Sequence, residues 1–69
     1  MGMRVEEVIS GLSVKIINGL TRNYLNDIEK LSEATDYDLS KIGHDFQTYV
    51  ELRSKARAYM KYLKQEVSE

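Results

Sequence analysis

LSKIGHDFQTYVELRSKARAYMKYLKQEV, residues Leu39 to Val67, carries the pattern that decides the fold. Leu39, Ile42, Phe46, Tyr49, Arg53, Ala56, Met60, Leu63 and Val67 follow one another at alternating steps of three and four, and all but Arg53 are apolar or aromatic. Such spacing keeps successive side chains on one side of an α-helix and forms a seam of the kind that packs nearly parallel to a neighbouring helix. Val50, Leu52 and Tyr59 flank the seam and widen it to the breadth of a bundle face. Thr35 and Asp36 are suitable N-caps, and Thr35 with Asp38 has the spacing of a capping box, so the pattern predicts a helix from Asp36 to Glu66. Gly43 interrupts that span. The alternative is a helix beginning near His44, with residues 32–43 as a structured loop.

Working outward, the N-terminal half repeats the theme. Val5, Val8, Ile9, Leu12, Ile16, Leu20, Tyr24, Ile28 and Leu31 recur at short helical intervals, which predicts a first long amphipathic helix. Gly11 and Gly19 weaken it by ~1 kcal/mol each relative to Ala and mark kinks or close approaches of another helix. A strand over Leu12 to Ile17 turning at Asn18-Gly19 has no partner strand to pair with. The polar stretch from Leu31 to Asp38 reads as the connection. The expected fold is therefore all-α: one domain over residues 1–69, an antiparallel hairpin of two long amphipathic helices.

Such a hairpin cannot close its own core. A helix from Asp36 to Glu66 is roughly 45 Å long, whereas a compact chain of this size has a diameter of about 28 Å. Sixty-nine residues with no Cys and a single His have neither disulfides nor a metal cluster to supplement a small core. The expectation is that a protein partner or a second copy completes the bundle, with Phe46, Tyr49, Met60 and Leu63 at the interface.

Composition narrows the function classes. With 42% hydrophobic and 30% charged residues and a net charge of −1, the chain is ordinary globular protein without a strong overall field. No apolar run has membrane-spanning length and residues 1–10 lack a signal-peptide core, so a cytoplasmic protein is expected, with no membrane partner. His44-Asp45 is the lone histidine–acid pair, and metal chemistry needs further ligands that the sequence does not supply. Asp27, Glu29, Glu33, Asp36 and Asp38 gather near the connection, where a solvated turn explains them better than a carboxylate pair in a cleft. There is no phosphate loop, nucleophile elbow or Cys–His arrangement. No catalytic residue, cofactor, metal or small-molecule substrate is expected.

One feature points to an outside ligand. Arg53, Lys55, Arg57, Lys61 and Lys64 fall within twelve residues without an intervening acid, and Arg53, Arg57, Lys61 and Lys64 share one helical stripe. Like charges at this spacing repel by a few tenths of a kcal/mol, so the stripe calls for anions. Candidates are Glu6 and Glu7 of the first helix, carboxylates of a partner, or the phosphates of a nucleic acid, with Tyr59 and Tyr62 placed to stack on bases.

The stretch Leu39-x-x-Ile42-x-x-Asp45-Phe46, continuing through Tyr49-Val50, resembles the loop-to-helix signature of the GINS replication proteins. Gly43 stands where that signature has proline, and Gln47 where it has tyrosine. The likeness covers about a dozen residues, and the family's other helices and small β-domain are not evident. It implies a non-catalytic scaffold joining subunits of a DNA-replication assembly. The residues themselves lead first to a helical protein–protein interaction module. A small nucleic-acid-binding protein is the second reading, and an inhibitor that inserts a helix into a target's groove the third.

Overall fold

A computed structural model describes residues 2–67, with side-chain surroundings through Gln65. Among the described residues the chain forms five helices: α1 (Val5–Val8), α2 (Val14–Arg22), α3 (Ile28–Glu33), α4 (Asp36–Ser40) and α5 (Phe46–Val67). No strand occurs among the described residues. The all-α class is as the periodicity predicts. The hairpin is not, because only α5 is long and the first predicted helix is divided in three.

Local chemistry explains the divisions. After α1, Ile9 is extended and Gly11 takes φ +80°, a conformation that costs a side-chain-bearing residue about 1–2 kcal/mol. Ser13 then restarts the helix as N-cap, its Oγ accepting from the Ile16 amide at 3.2 Å. At the end of α2 the Leu25 amide donates to the Leu20 carbonyl and the Tyr24 amide to that of Thr21, the two bonds of a Schellman motif. Tyr24 occupies its left-handed position at φ 59°, where glycine is usual. Asp27 caps α3 through its Oδ1 to the Lys30 amide. A 3.6-residue rhythm can continue through such breaks because each short helix still turns its apolar side inward.

The capping box at Thr35 and Asp38 forms as predicted, with both reciprocal bonds present. It opens the five-residue α4 rather than the long helix. Gly43 at φ +93° and Asp45 at φ 52° separate α4 from α5, so the predicted start at Asp36 is corrected to Phe46. The alternative start near His44 matches α5, whereas residues 32–43, read there as a loop, hold the helix α4.

α3 runs antiparallel along α5. Arg53 of α5 reaches Ala34, Arg57 reaches Ser32, and Met60 and Leu63 lie with Ile28. α2 crosses the beginning of α5, where the Tyr49 hydroxyl lies 3.5 Å from the Ile16 carbonyl. The core comprises Val5, Ile9, Ile16, Leu20, Ile28, Leu31, Ala34, Leu39, Tyr49, Leu52 and Ala56, drawn from every helix. The molecule measures 40 × 22 × 20 Å, and its long axis accommodates α5, a helix of roughly 33 Å.

Candidate partner-binding surface

Along α5 the seam meets three environments. Its first residue, Phe46, remains 43% exposed. Its middle is the centre of the core: Tyr49 and Ala56 are fully buried and Leu52 nearly so. Beyond Ala56 the folded body thins. No residue from Arg57 to Gln65 is buried, and the seam continues through Met60 and Leu63, half-buried like the flanking Tyr59.

This arrangement divides the four residues expected at an interface. Tyr49 lies within the core of the chain itself. It is 0% exposed and makes the contacts that hold α2 against α5, because the short helices of the N-terminal half wrap it completely. Phe46 lies about 25 Å along α5 from Leu63, so the two do not form one patch. Met60 and Leu63 do come together. They line a hollow of about 160 Å³ with Gly2, Met3, Asp27, Ile28, Glu29 and Tyr59. Met3 adds exposed apolar surface, and its sulfur accepts from the Tyr59 hydroxyl at 3.8 Å. Met3, Asp27 and Glu29 arrive there only through tertiary packing, and nothing in the periodicity of α5 points to them.

The basic stripe divides as well. Arg53 is an internal strut: its Nη1 donates to the Ala34 carbonyl at 3.1 Å and its Nη2 pairs with Asp36 at 2.7 Å. Arg57 donates through Nε to the Ser32 carbonyl at 2.8 Å, so it braces the end of α3. Lys55, Lys61 and Lys64 make no ion pair among the described residues. The acids expected to meet the stripe lie elsewhere, since Glu6 and Glu7 pair with Arg4 at 3.6 and 3.2 Å. Arg57, Lys61 and Lys64 with Met60 and Ser32 line a second hollow of about 220 Å³.

The remaining candidates have structural duties. His44 donates from Nδ1 to the Asp45 carboxylate at 3.0 Å, and its Nε2 lies 3.4 Å from the Tyr49 hydroxyl. That pairing, with Lys15 beside it, holds the Asp45 carboxyl below its usual range and anchors a residue in the left-handed region. Asp27 and Asp38 are caps and Asp36 is the partner of Arg53. No group of three or more His, Cys, Asp or Glu side chains suited to a metal ion occurs among the described residues. No helix among them is long and apolar enough to cross a membrane. Comparison with known proteins finds no matching family model, no matching curated protein and no matching solved structure.

Proposed function

We propose that this chain is a non-enzymatic helical interaction module, a small accessory subunit that docks on another protein chain through the C-terminal half of α5. The observation that carries the reading is the continuation of the apolar seam past the core: Met60 and Leu63 repeat the spacing of the buried Tyr49 and Ala56 but have only partial cover. A helix that has finished packing on its own domain has little reason to extend an apolar stripe into water, and such a stripe normally marks an interface. The lysines beside it supply a charged edge that selects the partner. The completion of a helical bundle by that partner, expected from the sequence, is confined in this reading to the last turns of α5. A replication assembly is the setting that the likeness to GINS proteins suggests.

The nucleic-acid reading asks four cations to face phosphate. Arg53 and Arg57 are engaged within the fold, which leaves Lys61 and Lys64. The protein-docking reading is the stronger for that reason.

The test is affinity capture from the native source with the wild-type chain and with Met60→Glu/Leu63→Glu, whose fold is checked by circular dichroism. The wild type should retain proteins that the variant loses. Equal retention by the two would refute the assignment of the surface.

A further inference from the structure

We propose that the chain seated on Met60 and Leu63 is a second copy of this one, related by a two-fold axis that runs along the strip. The inference rests on the reading of that strip as an interface and names its occupant.

The two hollows share Met60. Asp27 and Glu29 line the one that contains Met3, Tyr59 and Leu63. Arg57, Lys61 and Lys64 line the other. Thus an apolar floor has acids on one flank and cations on the other. Neither Glu29 nor Asp27, Lys61 or Lys64 makes an ion pair within the chain among the described residues, so both flanks keep their charge for an outside contact. An interface of standard size takes about 800 Å² from each partner. The chain exposes 4896 Å², so a contact of that extent covers about one-sixth of it and, centred on Met60, includes both flanks.

A surface of this kind is complementary to itself in one orientation. Isologous dimers turn one patch face to face with its copy about an axis lying in the interface. With the axis along the strip, the acidic flank of each copy meets the basic flank of the other, and Met60 and Leu63 meet their counterparts. With the axis across the strip, acid would meet acid and lysine would meet lysine, an arrangement that like-charge repulsion disfavours. The charges therefore select a side-by-side pairing with the two α5 helices parallel. The net charge of only −1 leaves little general repulsion between copies.

The experiment is sedimentation equilibrium of the purified full chain over a concentration series, at low and at near-physiological salt. The wild type should shift from one chain mass to two as concentration rises. Glu29→Lys cancels the charge of the acidic flank and sets a lysine opposite Lys61 and Lys64 of the other copy, and Lys61→Glu/Lys64→Glu makes both flanks acidic. Each variant alone should associate at least about tenfold more weakly, because like charges are then juxtaposed. Mixed together they should form a heterodimer, and the three substitutions combined in one chain should restore the homodimer. All three positions are exposed, and circular dichroism confirms that the variants fold. A wild type that stays at one chain mass overturns the second copy as occupant. So does a dimer indifferent to these reversals. If the wild type is monomeric while affinity capture still depends on Met60 and Leu63, the interface reading stands and only its occupant is wrong. If capture is equally indifferent, both fail.

Discussion

Gly19→Ala opposes two effects of similar size, and the structure decides which prevails. Inside a helix, Ala is favoured over Gly by ~1 kcal/mol, so propensity alone predicts stabilisation of α2. A Cβ built on Gly19, however, collides with the Tyr49 hydroxyl oxygen and falls 3.1 Å from both Tyr49 Cζ and His44 Nε2. Tyr49 is fully buried and cannot swing into solvent. Overpacking a core by one methyl costs about 1–3 kcal/mol, and a contact this short on an immobile ring belongs at the upper end. The net expectation is a loss of about 1–2 kcal/mol. At about 4–8 °C per kcal/mol for a domain of this size, the midpoint should fall by about 4–16 °C. Thermal and urea melts followed by circular dichroism measure it. Tyr49→Phe supplies the internal control. Its long hydroxyl contacts, 3.5 Å to Ile16 and 3.4 Å to His44, contribute at most about 1 kcal/mol, and their removal leaves the new methyl against the ring edge and His44 Nε2, without the shortest of its contacts. The double variant should therefore lose less than the sum of the two single variants, by at least about 1 kcal/mol. An alanine variant that melts at or above wild type, or strict additivity, would refute the close approach of α2 to α5.

Three further outcomes follow from the same reasoning. Tyr24 is 83% exposed and held at φ 59°, so Tyr24→Gly should stabilise the chain by about 1 kcal/mol, read as a higher urea midpoint. Phe46→Ala should cost well under the ~3–5 kcal/mol of a fully buried Phe because the ring is 43% exposed, whereas Tyr49→Ala should abolish cooperative unfolding in a thermal melt. The hydrogen bonds from Thr35 hold the Asp38 carboxyl below its ordinary range, and the His44 contact does the same for Asp45. Groups whose folded pKa is depressed stabilise the protein above the ordinary aspartate range, and that contribution disappears as pH falls through and below it. Urea midpoints should thus drop on acidification, and Asp38→Asn, which removes the titrating group, should flatten the drop.

The helical class was legible because apolar periodicity survives interruption: Ile16 and Leu20, Ile28 and Leu31, and Tyr49, Leu52 and Ala56 all lie where the rhythm puts them. The interruptions were less legible. Ser13 and Asp27 have the chemistry of N-caps, but each lies within an apolar pattern that reads as one helix. Tyr24 gives no warning of a left-handed turn, since that position ordinarily announces itself by glycine. Thr35 announced a helix start correctly, and only Gly43 and Asp45 show that the helix it starts is short. At the surface, Met60 and Leu63 were visible as seam positions. The burial of Tyr49 and the capture of Arg53 by Asp36 and Ala34 depend on chain folding over long range, which spacing along one helix does not encode.

Asn26 gives the N-terminal segment its own stability. Its Oδ1 accepts from the Val5 amide at 2.9 Å and its Nδ2 donates to Thr21 at 3.2 Å, while the Ile28 amide donates to the Met3 carbonyl at 2.8 Å. These bonds, with the burial of Val5 and Ile9, attach a four-residue helix that is far too short to persist alone. The segment therefore keeps its helix only while it stays docked on the Asn26–Ile28 turn and the common core. That docking also sets Met3 beside Tyr59, so the cover over one edge of the α5 strip is built by hydrogen bonds made at the far end of the sequence.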